Sequence, residues 1–206
     1  MKSLKVLIVL TLVLVVSALG IAGFNQFKSG YDIGDRASDF RLKDVSGELI
    51  SLSDFGEAKG FIVVFTCNTC PFAIANQERI QALDAAFKPK GYPVIAINPN
   101  NPEVKSGESY AEMQKVAKDL GVTYPYLYDD NHEVYAIYGA TKTPHVYVLQ
   151  KEEDALIVRY IGAIDDSVRD AASVTHAFVA DAVEALLNDT PVTPETTKAI
   201  GCAIKA

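Results

Sequence analysis

The sequence predicts an α/β protein in which a mixed central sheet lies between two outer layers, a three-layer sandwich. Two continuous apolar runs, GFIVVFTC and YPVIAIN, are typical of buried central strands, and a stretch with helical spacing separates them. A strand, a helix and a second strand form a right-handed crossover when the two strands lie parallel in one sheet. Later in the chain, HVYVL and LIVRYIG flank the charged turn QKEEDA, which indicates a hairpin that adds antiparallel strands.

The elements follow in order from an N-terminal β-hairpin, because residues 39–55, DFRLKDVSGELISLSDF, alternate apolar and polar side chains around Gly47. The first helix is predicted from Cys70 to just before Pro89, with four apolar side chains on one face: Ala73, Ile80, Leu83 and Phe87. A second helix, ESYAEMQKVAKDLG, ends at Gly121. The tyrosines of YPYLYDDNHEVYAIYG alternate as core residues of a strand do. A last helix is predicted by the spacing of Val174, Phe178, Ala182, Val183, Leu186 and Leu187.

The first 24 residues predict export. The basic start MKSLK is followed by an uncharged apolar run over residues 6–24, as in a secretory signal, and the run is also about long enough to cross a bilayer. Residues 1–24 are therefore either a signal peptide or an N-terminal membrane anchor, and the protein is periplasmic or extracellular. Residues 35–189 form the predicted domain, and residues 190–206 form a Pro/Thr-rich tail that carries Cys202.

The composition narrows the range of partners. The chain of 206 residues has a formal net charge of -7, which argues against a phosphate-binding surface, so no nucleic-acid partner is predicted. Three cysteines are too few for a disulfide scaffold in an exported chain of this length.

Two of these cysteines, Cys67 and Cys70, stand three apart where the first buried strand ends and the first helix begins. Unpaired amide groups of a first helical turn favour a thiolate, and lowering a cysteine pKa from ~8.5 to about 7 takes only ~2 kcal/mol. This spacing lets a disulfide close and open with little backbone movement. We expect Cys67 to be the more exposed sulfur and to attack a partner disulfide, and Cys70 to resolve the mixed disulfide.

Other interpretations of the cysteines remain open. One alternative is that the pair is half of a zinc site, but the sequence has no second Cys-x-x-Cys or His-x-x-His pair to complete it. A second alternative is that the two cysteines form a permanent disulfide. A third is that they bind Cu(I), with His145 as a third ligand. Cys202 is a third redox thiol, a handle for an intermolecular disulfide, or a small buried apolar residue.

Three segments together resemble the thioredoxin-fold redoxins, the group that includes thioredoxin-like thiol–disulfide oxidoreductases and the alkyl hydroperoxide reductase/thiol-specific antioxidant proteins. These are the entry hairpin DFRLKDVSGELISLSDF, the turn FTCNTCPF and the loop TKTPHVYVL. The resemblance implies a thioredoxin-like sandwich, catalytic Cys67 and Cys70, and a cis peptide bond before Pro144 that faces Cys67. It also implies that backbone groups near this bond are free to pair with a substrate chain, and that the substrate is bound by Thr66, Asn68, Thr69, Thr143 and Pro144.

The sequence departs from the family pattern at several positions. Thr66 stands where thioredoxins usually have Trp, Val64 stands where peroxiredoxins have the Thr of Thr-x-x-Cys, and GFIVVF contains no carboxylate to accept a proton. The resemblance implies a thiol–disulfide oxidoreductase that acts on protein thiols and disulfides and on an unidentified redox partner, without a cofactor or metal, and the N-terminal segment predicts that this enzyme is exported. A thiol peroxidase and a non-enzymatic Cu(I) carrier are the two alternatives.

Overall fold

The computed structural model describes residues 30–206. Within this range the chain forms ten strands and five α-helices, joined by short 3₁₀ turns. In chain order they are β1 (Arg36–Ala37), β2 (Arg41–Asp44), β3 (Leu49–Ser51), β4 (Gly60–Phe65), α1 (Pro71–Ile74), α2 (Gln77–Phe87), β5 (Val94–Asn98), α3 (Tyr110–Leu120), β6 (Tyr126–Tyr128), α4 (Val134–Tyr138), β7 (Lys142–Thr143), β8 (His145–Glu152), β9 (Ala155–Gly162), α5 (Phe178–Leu187) and β10 (Cys202–Ala203).

Eight strands form one mixed sheet in the order β1-β9-β8-β4-β5-β6-β2-β3. The pairs β4–β5 and β5–β6 are parallel, whereas the other neighbours are antiparallel. The predicted crossover and both predicted hairpins are therefore confirmed. The strand β4 lies at the centre of the sheet, and all six of its residues are buried, as a continuous apolar run requires.

Alternate side chains of the central strands separate the core into two layers. Ile62 and Val64 face the side on which α2, α3 and α5 pack. Phe61, Val63 and Phe65 face the opposite side, which α4 and residues from the N-terminal hairpin cover. This gives the predicted α/β sandwich of three layers and holds the carboxyl end of β4 rigidly in its middle.

Three elements differ from their predictions. The first helical segment is divided into α1 and α2 at Asn76, whose buried side-chain amide donates to the carbonyl of Phe72 at 2.8 Å. The predicted strand at EVYAIYG is instead α4, because the buried Asp129 carboxylate accepts the amide groups of residues 133–135 at its start. The last helix begins at Phe178, so Val174 lies outside it.

The tail from residue 190 onward returns across the body of the protein. The amide of Thr197 donates to the carbonyl of Ile161 at 3.0 Å, which fixes the tail beside β9. Its last strand, β10, pairs antiparallel with β7, with Cys202 opposite Thr143. The prediction for residues 1–24 lies outside the described residues. In the described part of the chain, no helix has the length and apolar character needed to cross a membrane.

Candidate active site

The two cysteines of FTCNTCPF lie in the loop that joins β4 to α1. Cys67 is two residues beyond the end of β4, and Cys70 is the residue that caps the amino end of α1. Pro71 occupies the first turn of α1, where its missing amide costs no intrahelical hydrogen bond. The predicted arrangement of strand, cysteine pair and helix is therefore confirmed.

Both sulfurs contact one residue, Thr143, which precedes Pro144 through a cis peptide bond as predicted. The Sγ of Cys67 lies 3.1 Å from the hydroxyl Oγ1 of Thr143. The Sγ of Cys70 donates to the Thr143 carbonyl oxygen at 3.2 Å. Because one sulfur contacts the Thr143 hydroxyl and the other its carbonyl, Cys67, Cys70 and Thr143 form one compact site.

The two thiols have opposite pKa shifts. Burial, followed by the charge of Glu108, raises the pKa of Cys67 to about 12 against hydrogen bonds from Thr143 and the Cys70 backbone. Burial also acts to raise the pKa of Cys70, but four hydrogen bonds outweigh it and the pKa is lowered. They come from the Cys202 side chain and from backbone groups of Ala73, Cys202 and Phe72, in that order.

The expectation that Cys67 is the more exposed sulfur is wrong. Cys67 is 2% exposed and Cys70 is 4% exposed, so both cysteines are buried. The expected lowering of a thiol pKa is found at Cys70, where the Cys202 side chain contributes most and the first-turn amide groups of α1 add to it. The amide groups of the loop itself, those of Asn68 and Thr69, point away toward Glu108.

Glu108 is a site residue that the sequence analysis did not find. It is fully buried, and its carboxylate accepts the amide of Asn68 at 2.9 Å and the amide of Thr69 at 3.0 Å. It also accepts the Thr69 hydroxyl and the side-chain amide of Asn98. The buried carboxylate that GFIVVF lacks is thus supplied by the loop before α3, where it fixes the backbone between the two cysteines.

The other predicted substrate residues lie around the same loop. Asn68 donates from its side chain to the Gly107 carbonyl at 2.8 Å and accepts the Tyr126 hydroxyl at 2.8 Å. Thr66 is buried at the end of β4, and its amide donates to the Ile97 carbonyl. The loop side chains are therefore held inward by the protein, and Thr143 and Pro144 close the opposite side of the site.

The backbone beside the cis bond is not free, which corrects the prediction that it is open to a substrate chain. The strand β7 is already paired with β10, so the tail lies along the edge of the site. The amide of Cys202 donates to the Sγ of Cys70 at 3.4 Å. One small apolar cluster contains both cysteines of the pair and the residues packed against them: Cys67, Cys70, Phe72, Ala73 and Cys202.

His145 lies at the start of β8, and in the described part of the chain its side chain forms no hydrogen bond with Cys67 or Cys70. Its Nδ1 accepts the amide of Thr141 at 3.3 Å, and burial lowers its pKa to about 4. The ring is therefore neutral at physiological pH. Among residues 30–206, no group of three or more His, Cys, Asp or Glu side chains is arranged to hold a metal ion.

Comparison with known proteins agrees with this fold. The thiol–disulfide oxidoreductase ResA of Oceanobacillus iheyensis is 27% identical over 185 residues, which are 86% of this chain and 84% of that protein. The solved structure of an uncharacterized conserved protein from Geobacillus kaustophilus has a TM-score of 0.79 and 35% identity, and covers 85% of this chain and 93% of its own. A candidate thiol:disulfide interchange protein DsbE from Chlorobium tepidum shares the fold alone, with a TM-score of 0.59, 18% identity, and coverage of 77% and 99%.

The fold and these relatives define a redoxin with a thioredoxin-like sandwich, an enzyme of the thiol–disulfide oxidoreductase class. The family model that matches residues 33–161 is that of the AhpC/TSA proteins. The chain belongs to the AhpC/TSA family.

Proposed function

We propose that the protein is exported and exchanges disulfides with partner proteins through Cys67 and Cys70. The observation that carries this proposal is the convergence of the two sulfurs on Thr143, at 3.1 and 3.2 Å, beside a cis Thr143–Pro144 bond. Two cysteines that share a neighbour at the start of a helix are suited to closing and opening a disulfide. The similarity to ResA supports the same class of reaction.

In this mechanism the Cys67 thiolate attacks one sulfur of a partner disulfide. A bond forms between Cys67 and that sulfur, and the other partner sulfur leaves with the electron pair and takes a proton. Cys70 then attacks Cys67 in the mixed disulfide, which frees the partner as a dithiol and leaves Cys67 and Cys70 joined. Two electrons pass from the pair to the partner, and the reverse sequence oxidises a partner dithiol.

The electrostatics of the site fit this division of roles. Cys70 has the lowered pKa, which favours the thiolate that resolves a mixed disulfide. Cys67 is held as a thiol by burial and by Glu108 while the site is closed. When a partner opens the site, the contribution of burial falls, and the hydrogen bonds from Thr143 and the Cys70 backbone remain to stabilise the Cys67 thiolate.

The surface that meets the partner is proposed to consist of Thr66, Asn68, Thr69, Thr143 and Pro144. Thr143 and Pro144 supply the backbone edge along β7, which an extended partner segment joins by adding a strand. Because β10 occupies this edge, the partner segment replaces the tail.

Reduction of insulin disulfides in the presence of dithiothreitol tests the proposed function. Wild-type protein and Ala203→Ser, a change at an exposed position of β10, are expected to accelerate it equally. Cys67→Ser is expected to be inactive, whereas Cys70→Ser is expected to accumulate a mixed disulfide with its partner. If Cys70→Ser still consumes peroxide and the wild-type protein does not reduce insulin, the results would favour a thiol peroxidase. Tight stoichiometric Cu(I) binding that requires Cys67 and Cys70, without reduction, would favour a carrier.

Export is proposed from the basic start and the apolar run of residues 6–24. Expression of the full chain, separation of soluble and membrane fractions, and mass measurement of the mature N-terminus distinguish a cleaved signal peptide from a retained anchor. Recovery of the intact chain in the cytoplasmic soluble fraction would contradict export.

A further inference from the structure

We propose that Cys202 is a third redox-active thiol, which takes over the disulfide from Cys67 by bonding to Cys70. The inference rests on the proposed dithiol chemistry of Cys67 and Cys70 and extends it to a residue far along the chain. It would make Cys70 the central sulfur of a three-cysteine relay.

The contacts at Cys70 carry the proposal. The Cys202 amide lies 3.4 Å from the Sγ of Cys70, and Cys202 packs against the same small cluster that holds Cys67 and Cys70. On its other side, Cys70 donates to the Thr143 carbonyl, and Thr143 contacts Cys67. Cys70 therefore packs with both Cys67 and Cys202, which makes each of them a candidate disulfide partner.

The position of Cys202 is fixed by the tail on both sides. Before it, Gly201 lies so close to the Thr143 carbonyl that an added Cβ would stand 2.2 Å from the oxygen. After it, the amide of Ile204 donates to the Thr141 carbonyl, and the amide of Lys205 donates to Asn100 at 2.8 Å. The absence of a side chain at residue 201 allows β10 to lie against β7 and brings Cys202 against Cys70.

The exchange step is balanced within the chain. Starting from the Cys67–Cys70 disulfide, the Cys202 thiolate attacks the Sγ of Cys70. The bond between Cys70 and Cys202 forms while the bond between Cys67 and Cys70 breaks, and the electron pair leaves on Cys67. Cys67 takes up the proton that Cys202 gave up, so the step needs no external oxidant or reductant.

This exchange gives the oxidised protein two forms. In one, Cys67 and Cys70 are joined and Cys202 is free. In the other, Cys70 and Cys202 are joined, the tail is covalently fixed along β7, and Cys67 is a free thiol. The second form holds the partner-binding edge closed until the disulfide moves back.

Peptide mapping of the purified full chain tests the exchange directly. The protein is oxidised with glutathione disulfide, quenched with acid, labelled with N-ethylmaleimide and digested without reduction. We expect label on Cys67 as well as Cys202, together with a linked peptide pair containing Cys70 and Cys202. Label on Cys202 alone, with only the Cys67–Cys70 link, would overturn the proposal.

The Cys67→Ser variant isolates the second disulfide. On oxidation it is expected to lose two thiols per chain and remain monomeric, with Cys70 joined to Cys202. Conversion only to intermolecular dimers or glutathione adducts would refute the relay. These readouts measure disulfide connectivity, so they are independent of insulin reduction, whose absence would instead refute the proposed function.

Two tail variants provide a second measurement. Gly201→Ala is expected to displace the tail, to lower the yield of the Cys70–Cys202 link at least about fivefold, and to accelerate alkylation of reduced Cys70 by a similar factor. Ala203→Ser changes an exposed residue on the same strand and is expected to behave as wild type. An unchanged link yield in Gly201→Ala would show that the tail contacts do not place Cys202.

Discussion

Replacing Glu108 by Gln should both destabilise the protein and make Cys67 easier to ionise. The side chain is fully buried, and each of its oxygens accepts two hydrogen bonds. Gln keeps the shape but turns one oxygen into a donor, so two buried donors lose their acceptor. At about 1–3 kcal/mol for each unsatisfied group, we expect a loss of about 3 kcal/mol. For a chain of this size, that loss corresponds to a Tm lower by about 6–12 °C.

The effect on Cys67 has a definite sign. The Glu108 charge contributes to the raised pKa of the Cys67 thiol, so removing the charge lowers that pKa. Alkylation is measured against pH in a background of Cys70→Ser and Cys202→Ser, where Cys67 is the one remaining cysteine of the sequence. The Glu108→Gln profile is expected to shift to lower pH.

Glu112→Gln is the matched control, because Glu112 is exposed in the first turn of α3 and its loss removes the same charge. It should leave the free energy of unfolding in urea within about 0.5 kcal/mol of the reference and the Cys67 profile unchanged. The reasoning is refuted if Glu108→Gln unfolds at the same urea concentration as Glu112→Gln and the two alkylation profiles coincide.

Two further predictions concern stability. Gly60→Ala would place a Cβ 2.1 Å from the Leu149 carbonyl oxygen and 2.4 Å from the Tyr92 ring, so urea unfolding should show a loss of about 3 kcal/mol. Gly56→Ala meets nothing within 4 Å and should change stability by less than about 0.5 kcal/mol; equal effects of the two would contradict this. Burial lowers the pKa of His145 to about 4. The part of the folding stability that depends on its neutral ring is therefore present above pH ~6.5 and is lost as the pH falls toward 4. His145→Gln should therefore reduce the stability lost between pH 7 and pH 4.5 by about 2.5 kcal/mol, and an unchanged loss would argue against a buried neutral ring.

The elements around the cysteine pair could be predicted because their signals are local. An unbroken apolar run specifies a strand buried on both faces, and the spacing of Ile80, Leu83 and Phe87 specifies the helix face that covers it. The cis bond at Thr143–Pro144 followed from the resemblance of its loop to a known family.

The residues that control the sulfurs could not be predicted in the same way. Glu108 lies in a loop 40 residues from Asn68, and Cys202 approaches Cys70 across 132 residues. Neither contact leaves a periodic pattern, because each depends on how distant segments are brought together. The same is true of α4, where a capping carboxylate from Asp129 overrides the alternation of tyrosines.

The pairing of β10 with β7 also bears on which thiols and disulfides can use the site. A strand tethered to its own docking edge acts at an effective concentration on the order of millimolar. A small thiol has no strand that could displace β10 from β7, whereas a protein with an extended segment and further contacts can compete with β10 for this edge. If partners dock at this edge as proposed, we expect the tail to select them by the size of their contact surface rather than by the reactivity of the incoming sulfur.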